Sequence, residues 1–279
     1  MEAIHSTWTK PRIYSAGGFF INDFDILTTI LSALKWREKN GTIKMITDST
    51  GLEFYESRGM CGLWDSIETT LDEIPDSVNP EIFWAAGKLY ALKSQNAPAA
   101  VLDTDFIVWD RIAFDSLGDL TVIHKEEINN DVYPDIHHFK MKYGYIFHPD
   151  LDWREKPSNC AFYVIKNNAL KEDYINEALQ FIDNTDSGDT LTYMVFAEQR
   201  LLSMTAKRMG IEIKEFSNLE RLFNDGEKYF THTWGMKQQM RDMPELRYDF
   251  CKRCAERIKK DFPFFIENME RIEELRDYL

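Results

Sequence analysis

Short apolar runs in the first half of the chain alternate with longer stretches of helical spacing, the pattern of strands and helices taking turns in an α/β sheet. Ala3 to Trp8 reads as a first strand. Ile26, Ile30, Leu31 and Leu34 recur at helical spacing, predicting a helix that Asp23 caps and that runs to about Lys39, where Asn40-Gly41 ends it. Thr42 to Thr47 is the next strand, with Asp48-Ser49-Thr50-Gly51 as a polar turn at its C-terminal end. A short helix follows, then a strand near Ser66 to Leu71 and a helix from about Pro80 to Lys93, with Pro80 in its first turn. Pro98-Ala-Ala-Val-Leu102 is a continuous apolar run typical of a buried strand, and it ends in Asp103-Thr104-Asp105.

From Thr121 to Val164 the pattern is mixed, with short strands at Tyr145 to His148 and Ala161 to Ile165. Helices are predicted over Lys171 to Asp183 and Thr190 to Met209, and a strand near Glu212 to Phe216 leads to the loop around His232. The tail from Met240 to Leu279 is charged and helical, interrupted near Pro263. No repeat or low-complexity linker divides the chain. The expectation is one α/β domain over residues 1–239, with a helical annex, residues 240–279, packed on it.

Composition narrows the partners. Apolar residues make up 44% of the 279, enough for a large core. A formal charge of −14 opposes non-specific binding to nucleic acid, because a phosphate backbone is repelled. A nucleotide ligand stays possible, since a bound cation reverses the local field. No stretch approaches the roughly 20 apolar residues of a membrane span, and Met1 to Lys10 has no apolar signal core. These features predict a cytoplasmic protein without a membrane span, leaving room for peripheral association. Four scattered cysteines make no disulfide framework, and the Cys251/Cys254 pair reads as two thiols on a charged helix.

Two motifs suggest chemistry. Ligands of open α/β sheets gather outside the carboxyl ends of strands, where both Asp48 and Asp103 fall. In extended backbone residues two apart point the same way, so Asp103 and Asp105 can face one cation. Oxygen ligands at that spacing suit Mg2+ or Mn2+ with phosphate completing the shell; the plainer alternative is a solvated turn. The second motif is His232-Thr-Trp-Gly235-Met-Lys237. Imidazole can ligate manganese, glycine lets backbone approach a diphosphate, and a lysine neutralises phosphate oxygens. Its plainer alternative is a loop with an incidental histidine. Together the two supply both halves of a metal–diphosphate clamp.

In this order, with Thr47-Asp48, Asn159-Cys160-Ala161-Phe162 and Glu198-Gln199 between them, the motifs resemble GT-A glycosyltransferases, above all the glycogenin and bacterial lipopolysaccharide galactosyltransferase group. The resemblance covers about residues 1–240. It implies a GT-A fold, a mixed, mostly parallel sheet flanked by helices. It also implies a metal held by Asp103, Asp105 and His232, with Thr104 on the donor and Gly235 and Lys237 on the diphosphate. Asp48 would lie near the nucleoside, and Asn159 on the sugar or acceptor side, where Ala161 replaces the family's glycine. Glu198 and Gln199 would sit near the anomeric carbon, Gln199 touching the sugar. For Asp48, Asn159 and Gln199 the alternative is turn or helix capping. Lys88, four residues from Trp84 and on the same helix face, would approach the donor, or else snorkel beside core aromatics. His137, His138 and His148 lack ligand spacing and suit the acceptor surface or a structural role. Trp109 and Trp153 could stack on sugars or pack in the core.

The implied activity is transfer of a sugar from a nucleotide-sugar, a UDP-sugar in this group, to a hydroxyl on a glycan, lipid-linked or protein acceptor in glycan or polysaccharide biosynthesis. Retention is the implied stereochemistry; an inverting enzyme would need a base, for which Glu198 is the candidate. Three other readings compete. A sugar nucleotidyltransferase needs a Gly-rich basic loop, which Ser15-Ala-Gly-Gly18 supplies poorly. An inactive nucleotide-sugar-binding scaffold predicts broken clamp residues, and these are intact. An acidic interaction module would leave the carboxylates merely solvated.

Overall fold

A computed structural model describes residues 1–218, 220–221 and 227–279. In chain order the strands are β1 (Ala3–Thr7), β2 (Ile43–Thr47), β3 (Ser66–Glu68), β4 (Ala99–Leu102), β5 (Phe106–Val108), β6 (Leu120–Val122), β7 (Lys140–Met141), β8 (Phe162–Ile165), β9 (Thr185–Ser187), β10 (Ile213–Glu215) and β11 (Phe230–His232). Seven of them form a mixed, mostly parallel sheet in the order β10-β6-β8-β4-β1-β2-β3, in which β8 runs antiparallel to β4 and β6. The helices that matter below are α1 (Lys10–Ala16), α2 (Asp23–Lys39), α3 (Ser49–Ser57), α4 (Ala86–Lys93), α5 (Asn168–Asn184), α6 (Thr192–Val195), α7 (Leu201–Arg208), α8 (Met236–Asp242) and α9 (Pro244–Asp261).

Strand side chains alternate between two cores, as the pleat requires. Ala3, Ala100, Leu102, Phe162 and Val164 face one core with Ile26, Leu27, Ile30 and Leu34 of α2 and with Cys251, Cys254 and Ile258 of α9. Ile4, Ala99, Val101, Tyr163 and Ile165 face the other, with α4, α5 and α7. Burial on both faces explains why β4 and β8 read as unbroken apolar runs. It also explains why α2, caught between sheet and α9, is buried almost all round. The tail is tied down by polar contacts as well: Arg247 Nε donates to Asp23 at 2.8 Å, and Tyr278 also donates to Asp23. No helix among the described residues is long and apolar enough to cross a membrane.

Several sequence expectations shift. Asn22, not Asp23, occupies the cap position of α2, and the Asp23 carboxylate is engaged by Phe24 N–H and by the tail. Residues 80–85 form turns, and the helix expected from Pro80 starts only at Ala86. There Asn79 Oδ1 accepts from Glu81 and Ile82 N–H, a local closure that competes with helix. Tyr145 to His148 is loop, its Phe147 ring sunk among Phe139, Trp153, Phe181 and Phe196. The helix expected over Thr190 to Met209 is α6 and α7 joined by a π-helical turn, Phe196–Arg200.

His5 of β1 ties the sheet to α2 and to β5. Trp64 Nε1 donates to its Nδ1 at 3.1 Å, so its hydrogen sits on Nε2 and goes to Ser32 Oγ at 2.9 Å; Ser32 donates to Phe106 O. Burial pushes the imidazole pKa down to about 3, against the pull of Asp105. The folded form is thus neutral while the unfolded chain titrates near 6.5. Below that pH the unfolded state binds a proton the folded state refuses, so stability falls as pH drops from 6.5 towards 3. The slope is roughly 1.4 kcal/mol per pH unit. Between pH 7 and pH 5 this residue should remove about 2 kcal/mol, read from urea midpoints. His5→Gln, though less stable at pH 7, should show a correspondingly flatter loss; equal slopes in the two proteins would exclude His5 as the source.

Candidate active site

The strand order places the site. β1 has β2 on one side and β4 on the other, and α2, between β1 and β2, and α4, just before β4, cover opposite faces of the sheet. Such a switch point opens a crevice at the strands' carboxyl ends. Here it is a cleft of about 570 Å3, lined by Ser6, Thr7 and Trp8 after β1 and by Asp103, Thr104 and Asp105 after β4. Gly87 lets α4 close over this edge: a Cβ there would stand 2.5 Å from Trp8 Cβ.

Backbone pairing then brings in the late motif. Asp103 N donates to Ala161 O at 2.8 Å, and Phe106 N back to Asp103 O at 2.9 Å, so the chain turns at once into β5. β5 pairs antiparallel with β11, with Phe106 opposite His232. That register sets His232 beside Asp105, with Nε2 3.7 Å from Oδ2. Asp105 Oδ2 also accepts from Thr233 Oγ1 at 2.6 Å and lies 3.0 Å from Lys237 Nζ. Lys237 is shared with Asp25 in the first turn of α2, at 3.2 Å.

One ligand atom each from Asp103, Asp105 and His232 lies within 4.8 Å of the others. Donors on opposite sides of an octahedral Mg2+ stand about 4.2 Å apart, so modest side-chain rotation closes the set on one ion. Two carboxylates and an imidazole are a fitting donor set for Mg2+ or Mn2+. Protonation agrees. Burial raises the Asp105 pKa, but Lys237, His232 and Thr233 outweigh it and hold the carboxyl below its usual range. Burial lowers that of His232 against the two aspartates, leaving the imidazole neutral and able to ligate.

Lys88 forms the second charged knot. Its Nζ lies 2.5 Å from both Asp103 Oδ1 and Glu198 Oε1 and donates to Cys160 O at 3.1 Å. Burial alone would lower its pKa; the two carboxylates override that and raise it well above the usual value. Glu198 sits in the π-helical turn, a feature frequent at functional sites. Burial raises its pKa, opposed by Lys88. Asn159 and Gln199 line the cleft too. Asn159 Oδ1 accepts from Ala161 N at 3.1 Å and Nδ2 donates to Glu126 at 3.0 Å, while Gln199 Oε1 accepts from Tyr133 OH at 2.6 Å.

Among the residues expected at the site, Lys88, Asp103, Thr104, Asp105, Asn159, Glu198, Gln199, His232 and Lys237 share this cleft. Asp48 and Gly235 are not among its lining residues. The Asp48 carboxylate caps α3 through Gly51 N at 2.8 Å and takes Thr9 N at 2.7 Å, the capping alternative. Gly235 has φ −75°, open to any residue, and no protein atom lies within 4 Å of its Cβ position, so the packing of the protein itself does not require a glycine there. Asp25 and Trp84 are additions: nothing in spacing marked Asp25 beyond an acid at a helix start, and Trp84 lies before α4 rather than on it.

The other candidates have partners away from this cleft. Trp109 Nε1 donates to Thr231 Oγ1 at 2.8 Å, and Trp153 stacks on Phe196 at 5.3 Å. His138 bonds Thr192, and His148 accepts from Asp150 N. Cys251 and Cys254 are buried against α2, a setting that pushes both thiols up to about 12.

No curated protein matches the chain by sequence. Among solved structures it is similar to PaToxG glycosyltransferase, at 14% identity and TM-score 0.41 over 75% of this chain and 69% of that one. It is also similar to mouse xyloside xylosyltransferase 1 in its apo form, at 9% and 0.43 over 77% and 85%. A third is the galactosyltransferase LgtC with donor and acceptor sugar analogues, at 12% and 0.36 over 71% of each chain. The sequence model of one family spans residues 1–274, and the chain accordingly belongs to DUF6734, a family of unknown function.

Proposed function

We propose that the protein is a metal-dependent glycosyltransferase of the GT-A type, moving a sugar from a nucleoside-diphosphate donor, a UDP-sugar, to a hydroxyl acceptor with retention. The observation that carries the reading is the convergence of Asp103, Asp105 and His232 within 4.8 Å, flanked by two lysines, at the switch point of the sheet. Asp103, Asp105 and His232 would hold a divalent ion, which supplies positive charge to a leaving diphosphate. Lys237 adds a second positive charge beside it, one that acts where negative charge builds up and so lowers the barrier. Asp25 and Asp105 keep that ammonium in place before the donor arrives. Gln199, its carbonyl taken by Tyr133, presents its amide N–H groups to sugar hydroxyls. Glu198, paired with Lys88, is poorly placed to act as a free base, which favours retention, with the departing diphosphate taking the acceptor proton.

The test is thermal unfolding of the full chain with UDP, GDP, CDP or ADP, with and without Mn2+. A ligand at 100 times its Kd adds about 2.7 kcal/mol, which for a chain of this size is a rise of roughly 5–10 °C. One diphosphate should produce it, and only with the metal. No shift with any diphosphate sinks the proposal; stabilisation by triphosphates alone would favour nucleotidyl transfer.

A further inference from the structure

We infer that the acceptor is an uncharged carbohydrate whose ring lies against the indole of Trp84 at the mouth of the cleft. The inference rests on the glycosyltransferase reading and names the substrate class for the same site.

Two of the seven tryptophans, Trp84 and Trp234, are 49% and 50% exposed, and both line the cleft. Single exposed apolar residues are ordinary. Here two indoles share one opening with Leu191, itself 46% exposed, and a clustered apolar surface at a cleft marks a binding site. The Trp84 ring is held in place: Nε1 donates to Thr190 O at 2.9 Å, fixing the indole beside Leu191. A platform fixed before binding loses little entropy when a ligand arrives. The Trp234 ring lies within 5° of parallel to that of His232, so this apolar surface runs up to the metal ligands.

The occupant must offer a flat apolar face with hydrogen-bonding groups around its edge. A pyranose does so: its C–H face suits an indole, and its hydroxyls suit amides and carboxylates. Those partners stand in the same cleft as Gln199, Asn159 and Asp103, the last 31% exposed. Trp84 is bonded to the turn at Thr190, beside Leu191, whereas Tyr55 is bonded to Thr7 at the end of β1, at 2.7 Å. An anionic lipid surface would be repelled by a chain of charge −14.

The experiment uses the full chain with Mn2+ and the diphosphate that stabilises it. Binding is read on printed neutral oligosaccharides, on a serine- and tyrosine-containing peptide array, and on phosphatidylcholine vesicles. The wild-type protein should bind a subset of the oligosaccharides. Trp84→Ala should lower that signal at least tenfold and Trp84→Phe far less, while both keep the metal-dependent thermal shift. Unchanged glycan binding by Trp84→Ala overturns the inference, as does wild-type binding to peptides or vesicles but to no oligosaccharide. If Trp84→Ala loses the thermal shift in step with glycan binding, the indole serves the nucleotide and the acceptor assignment falls alone. A wild-type protein with no shift at all would instead remove the transferase reading beneath it.

Discussion

Asp105→Asn should lower sugar transfer by about 10³-fold, the upper range for removing one preorganised electrostatic contact. His232→Ala should lower it by at least about 100-fold at limiting manganese. The two should differ in rescue. In the proposed site His232 would contribute one neutral donor, so its loss would weaken metal affinity, and raising Mn2+ should recover much of the activity. Asp105 is buried and also organises Thr233 and Lys237. An asparagine there keeps an acceptor for Thr233 but leaves Lys237 with Asp25 alone, so no metal concentration should restore the rate. Turnover against Mn2+ concentration for the two variants separates these outcomes, and full activity in Asp105→Asn would remove the site assignment.

How far the sequence foretold this site depended on which interactions each residue makes. Asp103 and Asp105 were legible because a buried strand has a sharp apolar end, and whatever follows it stands at the sheet's edge. His232 was legible only through its motif. Its approach to Asp105 depends on the β5–β11 register, a pairing across 126 positions in number that no local periodicity encodes. Lys88 can be read from sequence as a donor contact or a snorkelling side chain, and the structure buries its ammonium between two carboxylates at the cleft. Such a knot needs α4, β4 and the π-helical turn together, so it is a tertiary fact.

Other positions turn on the same distinction. Asp48 stands at the end of β2, as expected of a ligand contact, but its oxygens are taken by Thr9 and Gly51. A carboxylate at a strand–helix junction serves capping or ligand equally well in one dimension. Residue type alone does not separate the tryptophans: Trp109 and Trp153 are engaged by Thr231 and Phe196, while Trp84 and Trp234 are half exposed at the cleft. Exposure is decided by the neighbours, here the turn at Thr190, some hundred residues from Trp84 in the chain.

Lys88→Met should be the most destabilising single change at the site. Removing one partner of a buried ion pair costs about 3–5 kcal/mol, because the other charge is left without compensation. Asp103 is partly solvated, which places the cost near 3 kcal/mol, a fall of roughly 6–12 °C in Tm. Most of the loss then belongs to Glu198, whose side chain is buried and whose counter-charge is gone. The double variant Lys88→Met/Glu198→Gln removes both charges, so it should be more stable than Lys88→Met alone. The coupling between the two changes should exceed about 1 kcal/mol. Manganese should recover part of the Lys88→Met loss through Asp103, and none of the part owed to Glu198. Urea unfolding of the four proteins, with and without the ion, measures each term. Strictly additive costs would mean that the lysine does not balance the glutamate, and that the π-helical turn is held by its packing instead.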